Sequence, residues 1–156
     1  METVYIETSV ISYLTSRPSR ITPTLERQRA TALWWERARV RYRLVISEVV
    51  DIEIAGGDSA AASRRMAAVA DLPRLDSTPA VERLAVEIIR TLQLPKRSEL
   101  DGAHLAFAII ARADYLVTWN FRHIANPTLL ARIEAIGLAR ATRIPLIRTP
   151  MQLLGT

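Results

Sequence analysis

The sequence predicts an α/β fold: a central parallel sheet of about four to five strands, flanked by helices in three layers. Short β-prone runs alternate with longer helical stretches, which is the pattern of βαβ units. Several of those runs end directly in polar or acidic residues. Thr3-Val4-Tyr5-Ile6 leads into Glu7-Thr8-Ser9, Tyr42–Ile46 leads into Ser47 and Glu48, and Tyr115-Leu116-Val117 leads into Thr118-Trp119-Asn120. In an open α/β sheet the carboxyl ends of the strands are where ligands bind. The chain shows no internal repeat, low-complexity tract or linker, so residues 1–150 read as one domain and 151–156 as a C-terminal tail.

Taken in order, strand 3–6 is followed by a helical stretch from about Ser9 to Leu14. A polar break at Arg17-Pro-Ser-Arg20 precedes a long amphipathic helix over Pro23 to Arg39. Its neighbours Trp34 and Trp35 cannot point the same way, so one is expected on the core and the other on a partner surface. Strand 42–46 enters a helix that runs through Glu53 and stops at Gly56-Gly57. An Ala-rich helix over Ala60 to Ala70, a short strand at Arg74-Leu75-Asp76, and a helix from Pro79 to Leu92 after Ser77 or Thr78 follow. The next helix has Ser98 at its N-cap and Asp101 in its first turn, with Ala103, Ala106, Phe107 and Ile110 as its apolar stripe. Strands 115–118 and 144–147 complete the sheet, and Pro145 assigns the last one to an edge.

Composition narrows the class. Hydrophobic residues are 49% and charged residues 24%, the balance of a soluble globular protein. There is no cysteine, which excludes disulfides, thiolate metal sites and a cysteine nucleophile. Acidic Glu2 and Glu7 stand where a signal peptide would be basic and apolar, and no apolar run approaches the ~20 residues of a membrane span. The expectation is a cytoplasmic protein. Twenty-one Lys and Arg against sixteen acids leave a net charge of +5, and nearly all the cations are Arg. Guanidinium forks match phosphate geometry, so such a surface suits nucleic acid as well as it suits simple solubility. No Ser-His-Asp order, P-loop or Gly-rich dinucleotide fingerprint supports another enzyme class.

The order strand-ETS-helix, strand-SEVVDIE-helix, helix with an early Asp, and strand-TWN resembles the PIN-domain ribonucleases, and among them the VapC-like toxins of bacterial toxin–antitoxin pairs. The resemblance spans nearly the whole chain, including Ile144-Pro-Leu-Ile-Arg-Thr-Pro150. It implies a PIN-like α/β/α fold and a Mg²⁺- or Mn²⁺-dependent endoribonuclease. It further implies an RNA substrate, an antitoxin partner that blocks the cleft, and a homodimer. It places the catalytic set at Glu7, Glu53, Asp101 and Asn120, with Glu7, Glu53 and Asp101 holding the metal. Hard cations take oxygen ligands, so a few carboxylates converging from separate elements fit that chemistry. Two positions depart from the family pattern: Glu7 and Asn120 each stand where Asp is common. Three carboxylates offset one divalent ion fully, so one tightly held ion is expected.

Each residue also has a structural alternative. Asp101 fits an S-x-x-[DE] capping box with Ser98. Glu53 lies between Ile52 and Ile54 and is a surface acid if those two turn inward; Glu48 or Asp51 would then replace it. Thr8 and Ser9 either meet a ligand or cap the following helix, and capping is the commoner role. His104, Arg122 and His123 are candidates for substrate contact, although a packed or surface histidine is the more frequent situation for His104. Asp114 precedes the strand that ends at Asn120, so it belongs to the opposite edge as a turn residue. The neutral Asn120 also leaves open a second function class: a PIN-like module that binds RNA or protein with weakened chemistry.

Overall fold

The computed structural model describes residues 1–155, and its central strand is β1 (Thr3–Ile6). The others are β2 (Arg43–Ser47), β3 (Arg74–Leu75), β4 (Tyr115–Val117) and β5 (Leu146–Arg148), in the order β3-β2-β1-β4-β5. Every neighbouring pair is parallel, with Val4 opposite both Leu44 and Tyr115. Val4, Tyr5 and Ile6 are wholly buried, so side chains on both faces of the central strand are covered. That is the requirement of a parallel sheet sandwiched between helices. As Pro145 indicates, β5 lies at an edge.

The helices are α1 (Thr8–Thr15), α2 (Thr22–Arg41), α3 (Glu48–Ile54), α4 (Ser59–Ala68), α5 (Pro79–Leu92), α6 (Glu99–Ile110), α7 (Pro127–Ala139) and α8 (Pro150–Leu154). A single 3-10 turn at Lys96–Ser98 precedes α6. Two of these helices depart from expectation. Helix α7 begins at Pro127 after an Asn126 cap whose side chain accepts from Thr128 N and Leu129 N. Residues 151–154, expected as part of a tail, join Pro150 in α8, which starts from a reciprocal capping box between Thr149 and Gln152. Leu153 is buried and α8 packs on α2, so this segment belongs to the domain. Trp34 and Trp35 are likewise both buried, stacked edge to face at 6.4 Å, and neither serves as a free partner surface.

Helix α6 has no simple stripe. Leu105, Ala106, Phe107, Ala108 and Ile109 are all buried, while Ile110 is partly exposed. A helix that is apolar nearly all round belongs in the interior. Gly102 lets α5 and α6 approach, because a Cβ there would lie 2.7 Å from Ile89 Cγ1. This close seat fixes the depth of the two polar residues beside it, Asp101 and His104.

The chain begins at the middle of the sheet, moves outward to β3, then crosses to β4 and β5 on the other side. The reversal lies between β1 and β4, and their carboxyl ends open the crevice of a topological switch point. Glu7 N donates to Val117 O at 3.1 Å there, which holds the two strand ends together.

At the opposite edge Asp114 closes the amino end of the same pair. Its carboxylate accepts Thr3 N–H at 2.8 Å and pairs with Arg143 at 3.1 Å. The Thr3 bond comes first and, with Arg143, holds its pKa below the usual carboxylate range. A depressed folded-state pKa contributes stability above the unfolded value of about 3.9, and that stability is lost as pH falls through the folded value. Asp114→Ala should therefore cost about 1 kcal/mol at neutral pH. The difference from wild type in urea unfolding should shrink below about pH 4.

Candidate metal centre

Where β1 ends, Glu7 occupies the N-cap of α1 and its Oε2 accepts Ser9 N–H at 3.0 Å. Its Oε1 accepts the hydroxyls of Ser9 and Thr118, each at 2.5 Å. A hydroxyl has one proton to give, and the backbone settles where each proton goes. Ser9 Oγ accepts Trp119 N–H at 2.8 Å, and Thr118 Oγ1 accepts Asn120 N–H at 2.9 Å. Both hydroxyls are thus turned to donate to Glu7, which is only 5% exposed. The carboxylate bridges the ends of β1 and β4 across the switch point.

Glu53 reaches the same place from α3. Its Oε1 accepts Thr8 Oγ1 at 2.7 Å and His104 Nε2–H at 2.5 Å. The His104 side chain is 0% exposed, and its Nδ1 lies 2.7 Å from Tyr5 Oη, which is 2.8 Å from Ser47 Oγ. Ser47, Tyr5, His104, Glu53 and Thr8 therefore form one hydrogen-bonded chain through β2, β1, α6, α3 and α1. Burial pushes the Tyr5 phenol far above its ordinary pKa, so it stays protonated and able to donate. Burial also pushes the Glu53 pKa up, but the bonds to His104 and Thr8 and the charge of His104 outweigh it and leave it lowered. Burial opposes charge on His104, yet its bond to Glu53 and the fields of Glu7, Glu53 and Asp101 leave its pKa raised.

One ligand atom from each of Glu7, Glu53 and His104 lies within 4.8 Å of the others. Two carboxylates this close repel unless a positive charge joins them. Among the described residues no Lys or Arg pairs with Glu7, Glu53 or Asp101; the ionic partners are His104 for Glu53 and His123 for Asp101. An oxygen-rich donor set without a permanent cation fits a hard divalent ion.

Glu53 points inward and Ile52 is the residue turned out, 65% exposed. Glu48 is exposed and Asp51 pairs with Arg74, so neither stands in the place of Glu53. Asp101 lies in the first turn of α6, as expected, but Ser98 makes no side-chain capping bond. Its Oδ2 is 2.9 Å from His123 Nδ1, and its charge reaches His104. It lies outside the tight group of three, in which His104 stands instead. Asn120, the fourth member of the expected catalytic set, has its Oδ1 accepting the N–H groups of Arg122 at 3.2 Å and His123 at 3.0 Å. That amide shapes the turn that delivers His123 to Asp101.

His104 is the packed histidine that the sequence made the more frequent case, not a free substrate contact. It is fully enclosed, with both ring nitrogens engaged, one of them on Glu53. Thr8 and Ser9 give their hydroxyls to the two glutamates, and the cap of α1 is Glu7 itself. Arg122 is exposed and His123 half-buried beside Asp101. Tyr5, Ser47 and Thr118 complete the site without having been singled out in the sequence. A tyrosine at the middle of a buried strand was the available signal, since its hydroxyl needs a partner there.

No family model and no curated protein matches the sequence. The fold does match a solved structure, that of VapBC2 from Rickettsia felis bound to a DNA fragment from their promoter. The TM-score is 0.58 at 12% identity, over 94% of this chain and 98% of that one. The fold is PIN-like. At this identity the likeness concerns architecture, and the PIN-like sheet is what brings Glu7, Glu53 and Asp101 to one end. Among the described residues no helix is long and apolar enough to cross a membrane.

Mn²⁺ should raise the melting temperature of the wild type and leave Glu53→Gln nearly unmoved. A hundredfold excess over Kd corresponds to about 2.7 kcal/mol of added stability. Differential scanning fluorimetry against Mn²⁺ concentration checks this, with Glu48→Gln as a variant that should behave as wild type.

Proposed function

We propose that this PIN-like chain is a Mg²⁺- or Mn²⁺-dependent endoribonuclease of the VapC type, the toxin of a toxin–antitoxin pair, acting in the cytoplasm as a homodimer. The observation that carries the reading is the convergence of Glu7 and Glu53 at the switch point, with the charge of Asp101 reaching His104 between them and, among the described residues, no Lys or Arg paired with any of the three acids. A cluster of acids in a chain of net charge +5 suits a polyanionic substrate approached through a metal. The solved neighbour's description as VapBC2 on its promoter DNA supports an antitoxin partner.

Glu7, Glu53 and Asp101 would hold the ion, which supplies a lowered pKa for a water and charge neutralisation at the scissile phosphate. The chain's own work is positioning. Ser9 and Thr118 fix Glu7, Thr8 and His104 fix Glu53 through Oε1, and His123 fixes Asp101. Holding these oxygens in place before substrate arrives removes reorganisation from the reaction. The Arg-rich surface draws RNA by displacing counterions, so affinity should fall steeply between low and moderate salt.

A second reading is favoured by Asn120, whose oxygen is already committed to two backbone N–H groups and adds no charge to the site. On that reading the chain binds RNA or protein with weakened chemistry.

Incubating a mixed RNA pool with and without Mg²⁺ separates the two. The nuclease reading predicts Mg²⁺-dependent cleavage, lowered roughly 100-fold or more in Asp101→Asn. Asn120→Ala should lose roughly tenfold through the loosened turn. Asn120→Asp should keep activity, because a carboxylate accepts the same two N–H groups. RNA that is bound and never cut favours the second reading.

A further inference from the structure

At the turn after β4 lies a groove of about 670 Å³ that the site described above does not use. Pro23, Arg27, Trp119, Phe121, Met151 and Gln152 line it, joining the start of α2, the turn after β4, and α8. Its wall and the metal centre share consecutive residues. Thr118 gives its hydroxyl to Glu7, while Trp119 turns the other way, its Nε1–H bonded to Thr31 Oγ1 at 2.8 Å beneath α2.

The groove combines a cation and an aromatic surface. The Arg27 guanidinium lies 5.5 Å from the Trp119 ring centroid and 5.1 Å from that of Phe121, which are themselves 6.2 Å apart. Among the described residues no carboxylate pairs with Arg27, although Glu26 is its neighbour on the rim. Its guanidinium therefore stands over the rings with its donors unspent. Phe121 is 45% exposed and Met151 is 49% exposed, so the apolar part of the groove is open.

An unpaired anion-binding group beside an exposed ring matches one repeating unit of a single strand, a phosphate followed by a planar base. Stacking of this kind tolerates any base, because every base has a π-face. We propose that this groove seats an unpaired nucleobase of single-stranded RNA, stacked on Phe121 with an adjoining phosphate on Arg27, next to the nucleotide at the acids. This rests on the nuclease reading for its choice of polymer, and it makes single-stranded RNA the substrate form.

The test is binding and turnover of a short mixed-sequence single-stranded RNA, in wild type, Phe121→Ala, Phe121→Trp and Arg27→Gln. Phe121→Ala should weaken binding roughly 5- to 150-fold. That loss should appear in KM with kcat nearly kept. Phe121→Trp should restore affinity, and Arg27→Gln should lower the salt slope by about one phosphate contact. An abasic position walked along the RNA should weaken wild type at one place and leave Phe121→Ala indifferent to it. RNA binding that depends on Phe121 in a protein that never cleaves would remove the nuclease reading and uphold the base site. Mg²⁺-dependent cleavage with affinity and KM unchanged in Phe121→Ala would overturn the base site and leave the nuclease reading standing. Unchanged RNA binding together with Phe121-dependent binding of an acidic, aromatic-bearing peptide would overturn it in favour of a protein occupant.

Discussion

The structure depends on one constraint: two glutamates from different elements must be held together where β1 and β4 diverge. Glu7 and Glu53 bring a ligand atom each, with His104, to within 4.8 Å. Without neighbours such a pair would separate by repulsion or take up a proton. Here the hydroxyls of Ser9, Thr118 and Thr8 and the ring of His104 point at it, each oriented by a further bond or by packing. The resulting chain from Ser47 to Thr8 ties three helices to two strands. The same bonds that define the site therefore also fasten helices α1, α3 and α6 to the sheet.

That arrangement explains several features that look unrelated. Gly102 is needed because α6 must sit deep enough on α5 for His104 to reach both Tyr5 and Glu53. Asn120 spends its oxygen on shaping the turn, and the turn in turn presents His123 to Asp101. The longer Glu7 side chain folds back to cap its own helix while sharing Oε1 with two hydroxyls. Glu7 and Asn120, the two positions where the resemblance leads one to expect Asp, thus each have a local structural part to play.

The succession of strands along the chain, helices α1 to α6 and the edge position of β5 were legible because buried parallel strands and capped helices carry local signals, whereas α7 and the spatial order of the strands were not read from the sequence. Glu53 was reachable only through resemblance, since periodicity alone cannot say that Ile52 and not Glu53 faces out; its bonds to Thr8 on α1 and His104 on α6 decide it. His104 was harder. Three residues from Asp101 it reads as a surface or packed histidine, and its bridging role arises from Tyr5, 99 positions away. Helix α8 was missed because five residues carry too little periodicity, although Thr149 and Gln152 form a capping box. Trp34 and Trp35 show the limit of helical-wheel reasoning: a long helix overlaid by both the sheet and α8 can bury adjacent side chains.

The central claim is that a divalent ion is held between Glu7 and Glu53. Mn²⁺ titration followed by NMR tests it most directly, since a paramagnetic ion broadens the signals nearest to it. The account predicts early, saturable broadening at Ser9, Thr118 and the His104 ring, lost in Glu7→Gln. Broadening centred instead on Glu48 and Asp51, or none at stoichiometric Mn²⁺, would contradict it.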